Sequence, residues 1–444
     1  MSNLLLFEVA PVTSSPLREF PCSEALLEEA LNLIPLASQT FSKSVSQLPR
    51  GVSPLFVDRA DGARFWDVDG HSFIDLTNGL ACVTLGYRHP AVDEAVRSQL
   101  QSGVSFSLPH KLELQVAKLI IEMVPCAEMV RFAKNGTDAT SGAIRLARHC
   151  TKRDRIALCG YHGWQDWSIG TTSRNGGVPK GVSDLSHTFI YNDIDSLKNL
   201  LNRYPDEFAA VILEPMNITW PEPGFLETIK SIAHQHGALL IFDETITGFR
   251  FSNGGAQELF GVIPDLSTFG KGLANGFPLS ALVGRSSFMK EISNIFFSGT
   301  FGGETLSLAA ANAVLLQLLN NNVTDKLSSI GSQIADGVNH LINHYSLSHV
   351  FSLSGHPSWK IWSINDHYDA TAWEIRTFLF QELYARGMFT IGSHNISLAH
   401  LDFVDEILDT YSQVLSLLSS SLTTKGGVRH SLRCKPIEPL FRVR

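Results

Sequence analysis

The chain has 444 residues, 44% hydrophobic and 18% charged, with a formal net charge of −8. That apolar share excludes a disordered chain, and the length suits two or three domains of about 150 residues each. With 35 Lys and Arg against 43 acids, the chain has no global basic field to hold nucleic acid.

Ser23–Ile34 reads as a helix opened by a Ser cap. Residues 55–75 alternate as short strands with turns at Asp61-Gly62 and Asp69-Gly70, a small β-meander. From about residue 76, short apolar runs alternate with helical stretches: MVRFA (129–133), RIALCG (155–160), HTFIY (187–191), AAVILEP (209–215), ALLIFDE (238–244) and LSALVG (279–284). Such runs fit strands buried on both faces of a largely parallel sheet covered by helices. A long helical segment, SLAAANAVLLQLLNN, follows residue 305, and the remainder mixes strand and helix signals. The expected organisation is α/β: residues 1–75 as a helix and meander belonging to a small domain, 76–325 as a large ligand-binding domain, 326–424 as a small C-terminal α/β domain, and 425–444 as a basic tail with six Lys/Arg and one acid.

Open α/β sheets bind ligands beyond the carboxyl ends of their strands. After MVRFA comes Lys134-Asn135-Gly136-Thr137, opening a helix whose first N–H groups and Thr hydroxyl make a phosphate cradle. After RIALCG comes Tyr161-His162-Gly163-Trp164-Gln165-Asp166-Trp167, dense enough in aromatics to stack on a flat ligand. Glu214 ends the next run. Asp243-Glu244-Thr245 ends the one after it, where a buried carboxylate needs a positive partner. Lys271 sits between Gly270 and Gly272, and a buried lysine becomes a nucleophilic amine. A phosphorylated, planar, cationic ring that bonds to lysine as a Schiff base would need this set together, and pyridoxal 5'-phosphate is such a ligand.

The motifs FWDVDGHSFID, LGYRHP, NGTDAT, GYHGW, VILEP, IFDETITGFR, GVIPDLSTFGKGLANGFPLSAL, SGTF and ISLAH, spread from about Leu33 to Tyr411, resemble the class III aminotransferases of the fold-type I pyridoxal-phosphate enzymes. Their pattern is nearest to the glutamate-1-semialdehyde 2,1-aminomutases. The resemblance implies a fold-type I transferase: a mostly parallel central sheet, with a smaller α+β domain built from both chain ends. It implies that Lys271 bonds to the cofactor and then moves a proton between substrate Cα and cofactor C4′. Asp243 would pair with the ring nitrogen. Gly136 and Thr137 would hold the phosphate, Tyr161 would stack on the ring with His162 nearby, and Glu214 would sit near the cofactor's substrate side. Thr300 would reach the phosphate of a neighbouring subunit, making the enzyme a homodimer with a shared site.

The chain departs from the family where substrate is expected. Thr245 stands where Val is usual, and Gly303-Glu304-Thr305 replaces Gly-Asn-Pro. The segment Leu36–Lys43 lacks the aminomutases' Gly-, Ser- and Arg-rich pattern, Leu80 stands in place of their Trp, and an acid near Gly392 is missing. The expected reaction is therefore transfer from an amino-acid donor to a separate aldehyde or ketone. Gln39, Ser42, Lys43, Trp164, Gln165 and Trp167 suit a hydroxylated, sugar-like acceptor. The alternative is the aminomutase, moving an amino group within one substrate.

Six scattered cysteines form no C-x-x-C pair, and the histidines show no metal-ligand spacing, so no metal is expected. No apolar run approaches the ~18 residues of a membrane span, and the first eight residues lack the features of a secretory signal. A cytoplasmic enzyme without membrane or nucleic-acid partners is the expectation.

Overall fold

The computed structural model describes residues 18–438. The expectations for the first eight residues and for the end of the basic tail (439–444) lie outside the described residues. The chain forms two compact units. One comprises Asn78–Ser329 with Ile396–Leu398; the other joins the segment ending at Thr77 to Ile330–Asn395 and the segment from Ala399.

In chain order, β1 (Val57–Asp61), β2 (Arg64–Asp67) and β3 (Ser72–Asp75) form the antiparallel meander. Strands β4 (Met129–Ala133), β5 (Arg155–Cys159), β6 (Ser186–Thr188), β7 (Phe208–Leu213), β8 (Leu239–Asp243), β9 (Leu266–Phe269) and β10 (Ser280–Gly284) build a seven-stranded sheet. Its order is β4-β10-β9-β8-β7-β5-β6. Strands β11 (Phe351–His356), β12 (Trp359–Ile364) and β14 (Ser393–Asn395) make a third sheet, and β13 (Met388–Phe389) joins β3 in parallel.

The central sheet is mostly parallel, as its apolar runs imply, except that β10 runs against both β4 and β9. Residues 270–279, between β9 and β10, are too few for the crossover that a parallel return needs. Every residue of β7 and β8 is buried, because alternate side chains face two different helical layers. Val211, Leu213, Leu240 and Phe242 pack with Leu197, Phe225 and Ile229 from the helices Ile194–Arg203 and Phe225–Gln235. Ala210, Ile212, Leu239 and Ile241 pack with Ala143, Ile144 and Ala147 of helix Gly136–Thr151. Each such large side chain contributes about 1.5–3 kcal/mol.

In the other unit the first helix runs Pro21–Leu33, two residues ahead of the expected Ser cap. Its first N–H groups, which have no partner within the helix, are met by a carboxylate from the meander turn: Asp69 accepts from Cys22 N (2.7 Å) and Ser23 N (3.0 Å). The described part of the basic tail is docked on helix Ala372–Ala385. Arg429 pairs with Glu374 and Arg433 with Glu382, and the Arg429 contact draws the Glu374 carboxyl down to about 2. Among the described residues, no helix is long and apolar enough to cross a membrane.

This unit encloses a buried polar triad. The Trp362 indole N–H donates to His394 Nε2 (3.3 Å), and the Tyr411 hydroxyl meets the same nitrogen at 2.6 Å. Nε2 therefore accepts, which leaves the ring proton on Nδ1, buried without a partner. Burial, reinforced by the fields of His400 and Lys360, pushes the imidazole down to about 3. The unfolded chain binds this proton near pH 6.5 and the folded chain does not, so the stability present above pH 6.5 falls as the pH drops toward 3. One proton corresponds to about 1.4 kcal/mol per pH unit. Urea melts at pH 7, 6 and 5 are expected to show this decline, and His394→Gln, which keeps an acceptor but cannot titrate, is expected to flatten it.

Candidate active site

The carboxyl ends of β4, β5, β7, β8 and β9 all open on one edge of the central sheet, and the residues singled out by sequence follow those strands. Register aligns Asp243 with Thr268 across β8 and β9, so Lys271 begins just beyond the strand beside Asp243.

Asp243 is 5% exposed. Its Oδ2 meets His162 Nδ1 at 2.9 Å, while Oδ1 accepts from the Thr245 hydroxyl (2.6 Å), the Thr245 N–H (3.1 Å) and the Thr268 hydroxyl (3.3 Å). Burial alone would raise this carboxyl; the His162 and Thr245 donors outweigh it and hold the group below the usual carboxylate range. The other His162 nitrogen faces Cys159 O at 3.1 Å, so both ring nitrogens are held by oxygen atoms. Glu244, the next residue, has the opposite fate. It is fully buried and accepts only neutral donors, from Thr247, Ala256 N and Gln257, and burial raises its carboxyl. Of two adjacent acids, one is kept ionised and the other anchors a loop.

The phosphate-cradle residues gather beside this pair. The Thr137 hydroxyl is buried and has no partner. It fills the space where Gly163 would carry a Cβ, so the loop after β5 closes on the loop after β4 only because residue 163 has no side chain. A Cβ on Gly136 would lie 2.9 Å from Thr245 Cγ2, and one on Gly160 3.4 Å from the Glu214 carboxyl. Glu214 accepts from Asn217 Nδ2.

Lys271 is partly buried with φ +41° and opens the 3₁₀ turn Lys271–Ala274. Beside it, a Cβ on Gly272 would come within 2.5 Å of Thr84 Oγ1. Thr84 belongs to a segment that begins with four consecutive left-handed residues, Asn78, Gly79, Leu80 and Ala81. This conformation costs about 1–2 kcal/mol per non-glycine residue. Arg250 holds it: the guanidinium is fully buried and donates to Ala81 O and Ile396 O (3.0 Å each), and burial draws it down to about 10.

The structure thus gathers Gly136, Thr137, His162, Glu214, Asp243, Thr245 and Lys271. Tyr161 lies partly buried next to His162, while Thr300 is exposed on a turn closed by Gly302 N to Gly299 O. Gln39, Ser42 and Lys43 are exposed on or beside the turn Phe41–Lys43 of the other unit. Trp164 is 67% exposed. Trp167 corrects an expectation: it is buried, donates to Ser141 Oγ (2.9 Å) and lies parallel to the His162 ring at 6.2 Å, so it buttresses His162 and does not face an acceptor. Sequence reading missed Thr268, Asn217 and Arg250. Thr268 sits inside a strand with no turn signal, and only cross-strand register reveals it. Glu304, a departure from the family pattern, caps helix Thr305–Asn321 at Leu306 N (2.6 Å) and pairs with Lys134 Nζ (2.9 Å).

His162→Phe keeps an aromatic ring against Trp167 but strands a buried carboxylate. In urea melts of the cofactor-free protein, a loss of about 3–5 kcal/mol is expected. His162→Gln, which can still donate to Oδ2, is expected to lose less.

The site suits pyridoxal phosphate on its own geometry: an unpartnered buried hydroxyl at a helix N-terminus for the phosphate, and an ionised buried carboxylate for a protonated ring. The class III aminotransferase family (Aminotransferase class-III) matches residues 47–395. The 3-aminobutyryl-CoA aminotransferase of Cloacimonas acidaminovorans (strain Evry) is 38% identical over 328 residues, 72% of this chain and 78% of that protein. The glutamate-1-semialdehyde 2,1-aminomutase of Syntrophobacter fumaroxidans (strain DSM 10017 / MPOB) is 39% identical over 335 residues, 71% and 77% of the two chains. The Sphingopyxis sp. MTA144 FumI protein, solved in its PLP internal aldimine form, superposes with a TM-score of 0.84 at 28% identity, covering 90% of this chain and 97% of its own. The chain belongs to the class III aminotransferases, enzymes that work with pyridoxal 5'-phosphate.

Proposed function

We propose that this enzyme takes an amino group from an amino-acid donor and passes it to a separate aldehyde or ketone acceptor, hydroxylated and sugar-like, with Lys271 as the residue that bonds to the cofactor. The observation that carries this reading is the buried pair of Asp243, at the end of β8, and His162, with Lys271 starting beyond the strand adjacent to β8. When bound, pyridoxal phosphate supplies the carbonyl that receives the amino group and a ring that draws off electrons. Thr137, Gly136 and the helix they open would hold the phosphate, Asp243 would hold the proton of the ring nitrogen, and Tyr161 would stack on the ring. The Lys271 amine, when not bonded to the cofactor, would be the base that moves a proton between substrate Cα and cofactor C4′. Glu214, steadied by Asn217, stands on the substrate side. Trp164 meets the acceptor. Thr300 reaches the phosphate of a second copy in a homodimer, and the neighbouring exposed Phe296 and Phe301 favour burial against one.

A second reading, intramolecular amino transfer, is favoured by the 39% identical aminomutase relative. Absorbance separates the two. With L-glutamate, an aminotransferase is expected to lose the visible band of the lysine–cofactor bond and release a keto acid. If no amino acid bleaches the band while glutamate semialdehyde or a diamine does, the aminomutase reading holds. Lys271→Ala is expected to lack the band while unfolding at the parent's urea midpoint. A variant that still showed the band would remove Lys271 from the assignment.

A further inference from the structure

Asp243 is surrounded by more donors than a ring-nitrogen partner requires. An ionised carboxylate offers about four lone-pair positions. Here the Thr245 hydroxyl, the Thr245 N–H, the Thr268 hydroxyl and the His162 ring already approach its oxygens, the Thr245 hydroxyl most closely at 2.6 Å. The N–H of a bound pyridinium ring would be a fifth. Thr245 is also fixed in place. Its Cγ2 occupies the space that a Cβ on Gly136 would need, 2.9 Å away, and lies 3.3 Å from the corresponding position on Gly270. Packing against the phosphate loop and the lysine strand thus leaves the hydroxyl facing Oδ1.

We infer that Thr245 is a positioning residue that tempers Asp243: by donating to Oδ1 it takes up part of the carboxylate's charge, so that the ring-nitrogen proton of the cofactor is held less tightly than it would be beside a hydrocarbon side chain. A hydrogen bond to a charged group is roughly twice as strong as a neutral one, and the charge it engages is less available to another donor. The cofactor's pull on electrons is set not by Asp243 alone but by a residue that never touches the ring nitrogen. This rests on the proposed contact between Asp243 and that nitrogen.

The test compares the affinity of the cofactor-free protein for two probes by fluorescence titration. One is pyridoxal 5'-phosphate; the other is its 1-deaza analogue, in which carbon replaces the ring nitrogen. Packing and phosphate contacts are common to both, so the ratio of the two dissociation constants, deaza over natural, reports the nitrogen's contribution. Thr245→Val is expected to raise this ratio by roughly tenfold, the order expected for a hydrogen bond to a charged group. Thr245→Ser, which keeps the hydroxyl, is expected to leave it within about twofold of the parent, on the same reasoning. An unchanged ratio in Thr245→Val overturns the inference and leaves Thr245 a space-filling side chain. A lower ratio also overturns it, because the hydroxyl would then be presenting Asp243 to the ring. If the parent binds the two probes equally, the contact between Asp243 and the nitrogen falls, and with it the proposed role of Asp243.

Discussion

A carboxylate shut away from water at the end of β8 sets the terms for everything around it. Without a partner, Asp243 would take up a proton. It stays ionised because His162, from the loop after β5, meets one oxygen, and donors from Thr245 and Thr268 meet the other. His162 is itself held: its second nitrogen is turned to Cys159 O and its ring lies parallel to Trp167. The aromatic richness after β5 thus serves in part to support a charge inside the protein.

Close approach is the second constraint. The segments after β4, β5 and β8 converge on the cradle through places where a side chain is missing: Gly163 against Thr137 and Gly136 against Thr245. The strained left-handed turn at residues 78–81 is held by a buried guanidinium that donates to two backbone carbonyls, Ala81 O and Ile396 O. Strain of this kind clusters at functional sites. Here it lies one contact from the lysine turn, through Thr84 and Gly272.

The departures from the family pattern acquire different physical meanings. Glu304 is a helix cap and an ion-pair partner for Lys134. Thr245 is tied to the central carboxylate. Gly392 has φ +97°, a conformation that L side chains rarely adopt, so the missing acid coincides with a backbone turn that favours glycine. Nothing in the structure explains the replacement of the aminomutases' Trp by Leu80.

The sequence by itself determined most strands of the central sheet, the order of candidate site residues along them and the cofactor. A strand buried on both faces must be a continuous apolar run, and a residue just past its end must lie at the sheet's edge. LLIFD and FAAVIL therefore announced both their burial and the position of Asp243 and Glu214. Tertiary structure decided what those residues meet. That Asp243 is charged while Glu244 beside it has a raised carboxyl depends on donors from the loop after β5, from β9 and from the start of helix Ala256–Phe260. That Trp167 turns inward depends on Ser141 of a neighbouring helix, and that the first helix begins at Pro21 depends on Asp69 of the meander. Periodicity records which side of an element faces the core, whereas the protonation of a buried group is set by atoms brought close in space from distant parts of the chain.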